Sequence, residues 1–271
     1  MKKRIAIIGR GYVGHAHELF FKDKFDIVLY DPALGFTDKK LINEADLAII
    51  SVPTPMAKDG SVDTSAVEET LRWVRTPLVV IKSTIPPGTT ERFIKKYKLA
   101  DRLVFSPEFI GEGGYPIPYW EGMPHQTDMK LHRTFIFGGK RTTVEKILPF
   151  FTTVRGPFAE YRITDATTAE LTKYMENSWI AAKVTFCNEF YDIAKTFGVS
   201  YNELRELWLT DARVGKSHTL VYPHKRGFDG KCIPKDTHGL YQAARKQGFD
   251  APLLKSIIKT NDKMRTKKVA H

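Results

Sequence analysis

Apolar residues fall in short unbroken runs through the first 165 positions of the chain and at helical spacing through the rest. Lys3 to Ile8, Asp26 to Tyr30, Leu47 to Ser51, Leu78 to Ile81 and Leu103 to Phe105 are largely apolar on successive positions, as in parallel strands covered on both faces. Arg133 to Gly138 and Tyr161 to Ile163 extend the series. Helical periodicity separates several of these runs, through Ala16, Leu19 and Phe20, from about Thr64 to Val74, and from Val144 to Phe151. Ala169 to Phe197 lacks Gly and Pro and predicts one long helix, with Leu171, Met175, Ile180, Val184 and Phe186 among its apolar positions. Ser200 and Glu203 have the spacing of a capping box and predict a helix to about Leu209. Two more helices follow, about Thr237 to Lys246 and Pro252 to Lys268. Gly113 to Gln126, rich in Gly, Pro and aromatic residues, reads as loop.

The first run enters Gly9-Arg10-Gly11-Tyr12-Val13-Gly14 and a helix, the strand, glycine turn and helix of a dinucleotide site. The first glycine permits the turn, the second lets backbone approach a pyrophosphate, and the third lets helix pack on strand. Asp31 ends the next strand, 22 positions beyond Gly9, where an acid binds the adenosine ribose hydroxyls and favours NAD over NADP. The pattern as a whole predicts an α/β protein: an N-terminal Rossmann-type doubly wound parallel sheet over residues 1–164, then an all-α domain over 165–271 entered by the long connecting helix. Ligands of such sheets bind at the carboxyl ends of strands. Val52-Pro53-Thr54-Pro55 and Ser83-Thr84-Ile85-Pro86-Pro87-Gly88 are therefore expected to face the cofactor, although the first is equally well a proline-stiffened connection. Glu108 and Glu112, after the strand ending at Phe105, are candidate acid/base groups.

Composition narrows the class. A chain of 271 residues with 42% hydrophobic content builds a substantial core, and two cysteines, Cys187 and Cys232, argue against a disulfide framework and for a reducing compartment, the cytoplasm. No transmembrane run or signal-peptide core is evident. A net charge of +11, with a basic cluster at Lys259, Lys263, Arg265, Lys267 and Lys268, favours anionic partners. Nucleotides fit that charge better than nucleic acid does, because no nucleic-acid-binding spacing appears.

Chemistry in the second half centres on Gly227 to Asp236, GFDGKCIPKD, which sets a thiol between Lys231 and Lys235 with Asp236 following. Nearby positive charge stabilises a thiolate nucleophile, while an incidental thiol in a surface turn is the plainer alternative. Gly227, Gly230 and Pro234 argue against an ordinary helix through this stretch. Lys173 and Asn177, four residues apart, share one face of the long helix and suit an oxyanion, though on spacing alone a solvated face accounts for them more simply. Cys187, between Phe186 and Asn188, reads as core. The loop from Asp211 to Cys232 carries Arg213, His218, Tyr222, His224, Lys225 and Arg226, a basic and aromatic set suited to a sugar diphosphate. The histidines lack metal-ligand spacing, and no metal is assigned.

In order along the chain, GRGYVG with Asp31, VPTP, STIPPGTT, SPEFIGEG, AELTKYMENSWIAAKVTFCNE and GFDGKCIPKD resemble the motifs of the UDP-glucose/GDP-mannose dehydrogenase family, and DARVG at Asp211 to Gly215 leans towards its UDP-glucose branch. The resemblance covers nearly the whole chain. It implies two successive NAD-dependent oxidations of a sugar CH2OH to a carboxylate through a covalent thioester. By it, Cys232 matches the nucleophile, Lys173 and Asn177 the groups facing the oxyanion, and Asp236 the carboxylate that handles a proton and a water. Glu108 matches the general base for thioester hydrolysis, with Thr84 helping to hold the water. Gly9, Gly11, Tyr12, Val13, Gly14, Asp31, Val52, Pro53, Thr54, Ser83, Glu112 and Lys235 match cofactor contacts. Phe109, Ile110, Gly111, Arg213, Tyr222 and Gly230 match substrate contacts. The resemblance also implies a homodimer through the helical half. Asp229 stands where the family has glycine, and its charge is expected to disfavour the thiolate. Family members continue into a second α/β domain over the nucleotide, so the chain is expected to carry two of the family's three domains. Other readings are the same chemistry on a different glycosylated or hydroxymethyl substrate, and a catalytically silent NAD-binding module.

Overall fold

The computed structural model describes residues 2–110 and 128–266; the loop read at Gly113 to Gln126, the candidates Gly111 and Glu112, and the last residues of the final predicted helix lie outside them. The chain begins β1 (Arg4–Ile8), α1 (Tyr12–Phe21), β2 (Asp26–Tyr30), α2 (Lys39–Asn43), β3 (Leu47–Ile50), α3 (Ser65–Trp73), β4 (Leu78–Ile81), α4 (Thr89–Tyr97) and β5 (Leu103–Phe105). It continues β6 (Thr134–Gly138), α5 (Arg141–Arg155), β7 (Glu160–Thr164), α6 (Ala166–Thr196), α7 (Tyr201–Trp208), α8 (Cys232–Lys246) and α9 (Pro252–Thr266). Two helices were not legible in the pattern. The short α2 forms because Asp38 caps it, accepting from the Lys40 and Leu41 N–H groups, and α4 starts from a left-handed Gly88.

The chain divides into two compact units, Met1–Ala57 with Val62–Lys173, and Lys58–Ser61 with Tyr174–His271. The first unit holds one seven-stranded sheet in the order β2-β1-β3-β4-β5-β6-β7. Pairings are parallel except β5 with β6, which meet antiparallel at Phe105 and Gly138, so β6 and β7 both run opposite to the other five strands at one edge of the sheet; such mixed edges are common in large doubly wound sheets. Strand order turns back at β1, between β2 and β3, which opens a crevice at the carboxyl ends of β1 and β3. Burial explains the unbroken apolar runs. Ile5 and Ile7 pack on one side with Phe20, Phe21, Phe137 and Phe151, while Ala6 and Ile8 pack on the other with Val67, Val79 and Phe93.

The second unit is helical and, among the described residues, has two small apolar clusters, one around Cys187 and Tyr201 and one around Ala181, Phe228 and Ile257. Two expectations are corrected here. Ser200 stands at the N-cap of α7, but its side chain makes no capping bond. Helix α8 starts at Cys232 rather than Thr237, running through Pro234. A proline in the first helical turn removes only an N–H that has no partner within the helix, so it starts this helix instead of blocking it.

Candidate active site

At the crevice of the first unit, the glycine turn divides its work. Gly9 has φ +86°, and a Cβ there would lie 2.7 Å from the Ser51 carbonyl oxygen; a Cβ on Gly14 would lie 1.9 Å from the Gly9 carbonyl oxygen. The fold itself requires glycine at both places. Gly11 differs, because its φ is −72° and a Cβ would meet nothing within 4 Å. Space is kept open above it at the start of α1, which is where a pyrophosphate needs close backbone approach. Asp31 is oriented by two N–H donors, Arg10 at 2.7 Å to one carboxylate oxygen and Ala33 at 3.1 Å to the other. Each oxygen retains a lone pair for a ribose hydroxyl. Ser51 Oγ is buried with no hydrogen-bond partner among the described residues. These features fit a dinucleotide held by Gly9, Gly11, Gly14 and Asp31. Tyr12 is exposed and Val13 half-buried beside them.

Adjacent strand ends are bonded to one another. Ser83 Oγ donates to the Val52 carbonyl at 2.7 Å, which joins the loop after β4 to the loop after β3. Thr54 is buried, Pro53 is exposed, and Thr84 is half-buried. After β5, Glu108 Oε2 accepts the Ile110 N–H at 2.7 Å, and Glu108 Oε1 lies 3.4 Å from Lys173 Nζ. The same ammonium stands 5.5 Å from the centre of the Phe109 ring. Lys173 is therefore not on a solvated helix face. It is buried, and it faces Glu108.

Two further residues near these loops were given no role in the sequence reading. Glu170, one turn before Lys173, accepts from Gly88 N–H at 2.6 Å, Thr90 N–H at 2.8 Å and Thr90 Oγ1 at 2.6 Å. Burial pushes its carboxyl up to about 7, with those donors pulling the other way. The contact fixes the start of α4, and with it the STIPPGTT loop, to α6. Lys82 is the second, a buried ammonium bonded to Ser106 Oγ at 2.7 Å.

In the second unit, Cys232 is half-buried at the first residue of α8, and Asp236 stands one turn later on the same helix face. Asp236 is fully buried; one oxygen accepts from the Asn177 amide and the other is ion-paired with the adjacent Lys235. Asn177, four residues after Lys173 on α6, is buried as well. Cys187 lies in the core, where burial raises its thiol. The two thiols are thus in opposite settings.

The loop entering Cys232 is held by asparagines. Asn188 Oδ1 accepts from Gly227 N–H at 3.1 Å and Arg226 Nε at 2.7 Å; Arg226 also bonds Asp192 at 2.9 Å. Asn261 on α9 accepts from Phe228 N–H at 2.7 Å and donates to the Phe228 carbonyl at 3.2 Å. A Cβ on Gly227 would come 2.4 Å from that Asn261 oxygen, so no larger residue fits under the clamp. Arg226, read as part of a ligand-facing loop, instead pins the loop to α6. Arg213 forks onto Asp211 at the surface, Tyr222 is exposed, and Gly230 has open space around it. Among the described residues, no hydrogen bond or ion pair joins these three to the Asn177–Asp236 pair. Asp229, the charge expected to disfavour the thiolate, is ion-paired with Arg265 at 2.8 Å. Among the described residues no group of three or more His, Cys, Asp or Glu is placed to hold a metal ion.

Two models of one family match the chain: the NAD binding domain of the UDP-glucose/GDP-mannose dehydrogenase family over residues 28–116, and its central domain over residues 167–263. The chain belongs to this family, whose members are NAD-dependent sugar nucleotide dehydrogenases. It is 28% identical to UDP-glucose 6-dehydrogenase TuaD of Bacillus subtilis, over 97% of this chain and 64% of that protein. Its fold is similar to a UDP-glucose dehydrogenase of Pyrobaculum islandicum, with a TM-score of 0.79 and 25% identity over 97% of this chain and 68% of that one. A UDP-D-ManNAc dehydrogenase of Pyrococcus horikoshii matches about as well, with a TM-score of 0.78 and 25% identity over 96% and 68%. The chain spans about half to two thirds of the length of the curated relatives it matches.

Proposed function

We propose that the protein is an NAD-dependent nucleotide-sugar 6-dehydrogenase that oxidises UDP-glucose to UDP-glucuronate through a thioester on Cys232. The observation that carries this reading is the arrangement on α8: a half-exposed thiol at the helix N-terminus, with a buried, hydrogen-bonded carboxylate one turn behind it. Helix N-termini favour thiolates, and a silent binding module has no need of the Asn177–Asp236–Lys235 cluster. NAD, when bound, accepts the hydride of each oxidation; in the first, the CH2OH carbon gives up the hydride while its hydroxyl proton passes to a water held by Asp236, leaving the aldehyde. The Cys232 thiolate adds to the aldehyde carbon and forms a C–S bond, while the aldehyde oxygen takes up the negative charge beside donors supplied by Lys173 and Asn177. Loss of the second hydride leaves the thioester. Water, its proton taken by Glu108 with Thr84 holding its oxygen, attacks the carbonyl; the C–S bond breaks, the sulfur leaves as thiolate, and the carboxylate is released.

Support for the remaining assignments is of the same local kind. Glu112 and Lys235 are assigned to the cofactor, and Phe109, Ile110, Gly111, Arg213, Tyr222 and Gly230 to the sugar nucleotide, on the family pattern. No helix among the described residues is long and apolar enough to cross a membrane, and with neither cysteine in a disulfide we place the protein in the cytoplasm. Met175, Trp179, Phe186, Phe190 and Leu207 expose apolar surface on α6 and α7, and Phe186, Phe190, Leu204 and Trp208 line a pocket of about 150 Å³; both support a homodimer through the helical half.

Stopped-flow measurement of NADH with UDP-glucose tests the reading. Two NADH per sugar from the wild type, and no carboxylate product from Cys232→Ser, are expected; absence of turnover with every UDP- and GDP-hexose overturns it. The equal likeness to a UDP-D-ManNAc dehydrogenase favours one second reading, the same chemistry on an N-acetylated sugar nucleotide. A sugar-nucleotide panel ranked by kcat/KM separates the two.

A further inference from the structure

Lys82 follows β4 directly, and only 3% of it is exposed. Burying an ammonium is costly unless its hydrogens are satisfied, and an apolar side chain of similar length would fill this place more cheaply. Its bonds indicate what it does there. Nζ donates to Ser106 Oγ at 2.7 Å and to the Pro107 carbonyl at 3.3 Å, and it lies 5.6 Å from the centre of the Phe151 ring. Both oxygens belong to the turn after β5 whose next residue is Glu108.

The charged and titratable groups around Lys82 come from several elements. Glu108, on the turn, attracts the ammonium. His17, from α1, is buried with Nδ1 near the Val13 carbonyl, and burial together with Lys82 and His132 keeps its imidazole neutral. Lys173, from α6, holds the far side of Glu108. Lys82 thus anchors the base of the turn while Lys173 and the Ile110 N–H hold its carboxylate.

We propose that Lys82 is a positioning residue for Glu108: by tying the end of β4 to Ser106 and the Pro107 carbonyl, it fixes the direction in which the Glu108 side chain leaves the turn. The proposal deepens the dehydrogenase reading and rests on it for the role of Glu108. Burial brings the Lys82 ammonium down to about 7, so its hold on the turn weakens as pH rises through neutrality, when one donor and the charge are lost.

Crystal structures and steady-state kinetics of the wild type, Lys82→Met and Ser106→Ala test it. Methionine has similar length and no charge, and thermal unfolding of each variant separates a loss of rate from a loss of stability. In Lys82→Met the Ser106 to Glu108 turn is expected to shift and the Lys173–Glu108 pair to open. The kcat should fall about 10- to 100-fold, as for a catalytic group displaced by about 1 Å, with KM for NAD within about twofold. The inflection near pH 7 in the wild-type profile should disappear. Ser106→Ala should show the same changes, smaller. If the turn keeps its course in Lys82→Met, the proposal is overturned whether or not the wild type turns over. If the turn moves but the wild type oxidises no sugar nucleotide, positioning stands and the role of Glu108 as base falls.

Discussion

The two units of the chain are stabilised in different ways. The first buries unbroken apolar strands on both faces of a sheet, and Phe20, Phe21, Phe135, Phe137 and Phe151 form a continuous set of ring contacts on one side. The second has two small clusters, leaves Met175, Trp179 and Leu207 largely exposed, and holds its functional loop by hydrogen bonds from Asn188 and Asn261. A sheet with a thick core places strand-end loops through rigid backbone. A helical unit with a thin core must fix a loop side chain by side chain, and it leaves apolar side chains exposed on α6 and α7.

The largest effect that would sharpen this contrast is in the first core. Phe21→Ala removes a fully buried ring in contact with Phe20, Phe25 and Phe151 and is expected to cost about 3–5 kcal/mol by chemical denaturation. Met175→Ala, at a residue 77% exposed, should change the stability of the isolated chain by less than about 0.5 kcal/mol while weakening self-association in sedimentation. A large loss at Met175 without any dimer would break the comparison.

Next in size is the pH dependence of the first unit. The folded Glu170 carboxyl is raised to about 7 from an ordinary 4.5, so its contribution to stability is complete below 4.5 and is lost as pH rises through 7. Thermal unfolding should show up to about 3 kcal/mol of such loss between pH 4.5 and 8, and Glu170→Gln should flatten that slope. Lys82 works in the opposite sense above neutrality: lowered to about 7, it contributes stability present above its ordinary 10.5 and lost as pH falls through 7.

A smaller loss than either of these is expected at the clamp on the thiol loop. Asn261→Ala leaves the buried N–H and carbonyl of Phe228 without partners and should cost about 1–2 kcal/mol. Hydrogen exchange should rise from Gly227 to Lys231 and stay unchanged in β1 and β3. Unchanged exchange in the loop would show that Asn188 and Arg226 suffice.

Much of the fold was legible because burial on both faces of a sheet leaves a mark on consecutive residues, as at Leu47 to Ile50 and Leu78 to Ile81. The glycine turn and Asp31 were legible for a related reason: steric and hydrogen-bonding demands fall on residues near each other in the chain. The partners of Glu170, Lys82 and Asn261 left no such mark. Glu170 meets Thr90 across 80 positions and Asn261 meets Phe228 across 33, and a single charged or amide residue on a helix looks the same whether it is solvated or clamped. The start of α8 was misread because Gly230 and Pro234 terminate helices in general, whereas a proline in a first turn begins one.

The sequence by itself determined the strand and helix pattern, the dinucleotide turn and the order of the motifs, because each follows from local sterics and the periodicity of burial. Tertiary structure alone decided which charges are buried and what they meet: Lys173 against Glu108, Lys82 beneath the turn that carries it, Asp236 against Asn177, and Asp229 answered by Arg265. The electrostatic character of a side chain depends on its desolvation and its partners, and both are set by residues far along the chain.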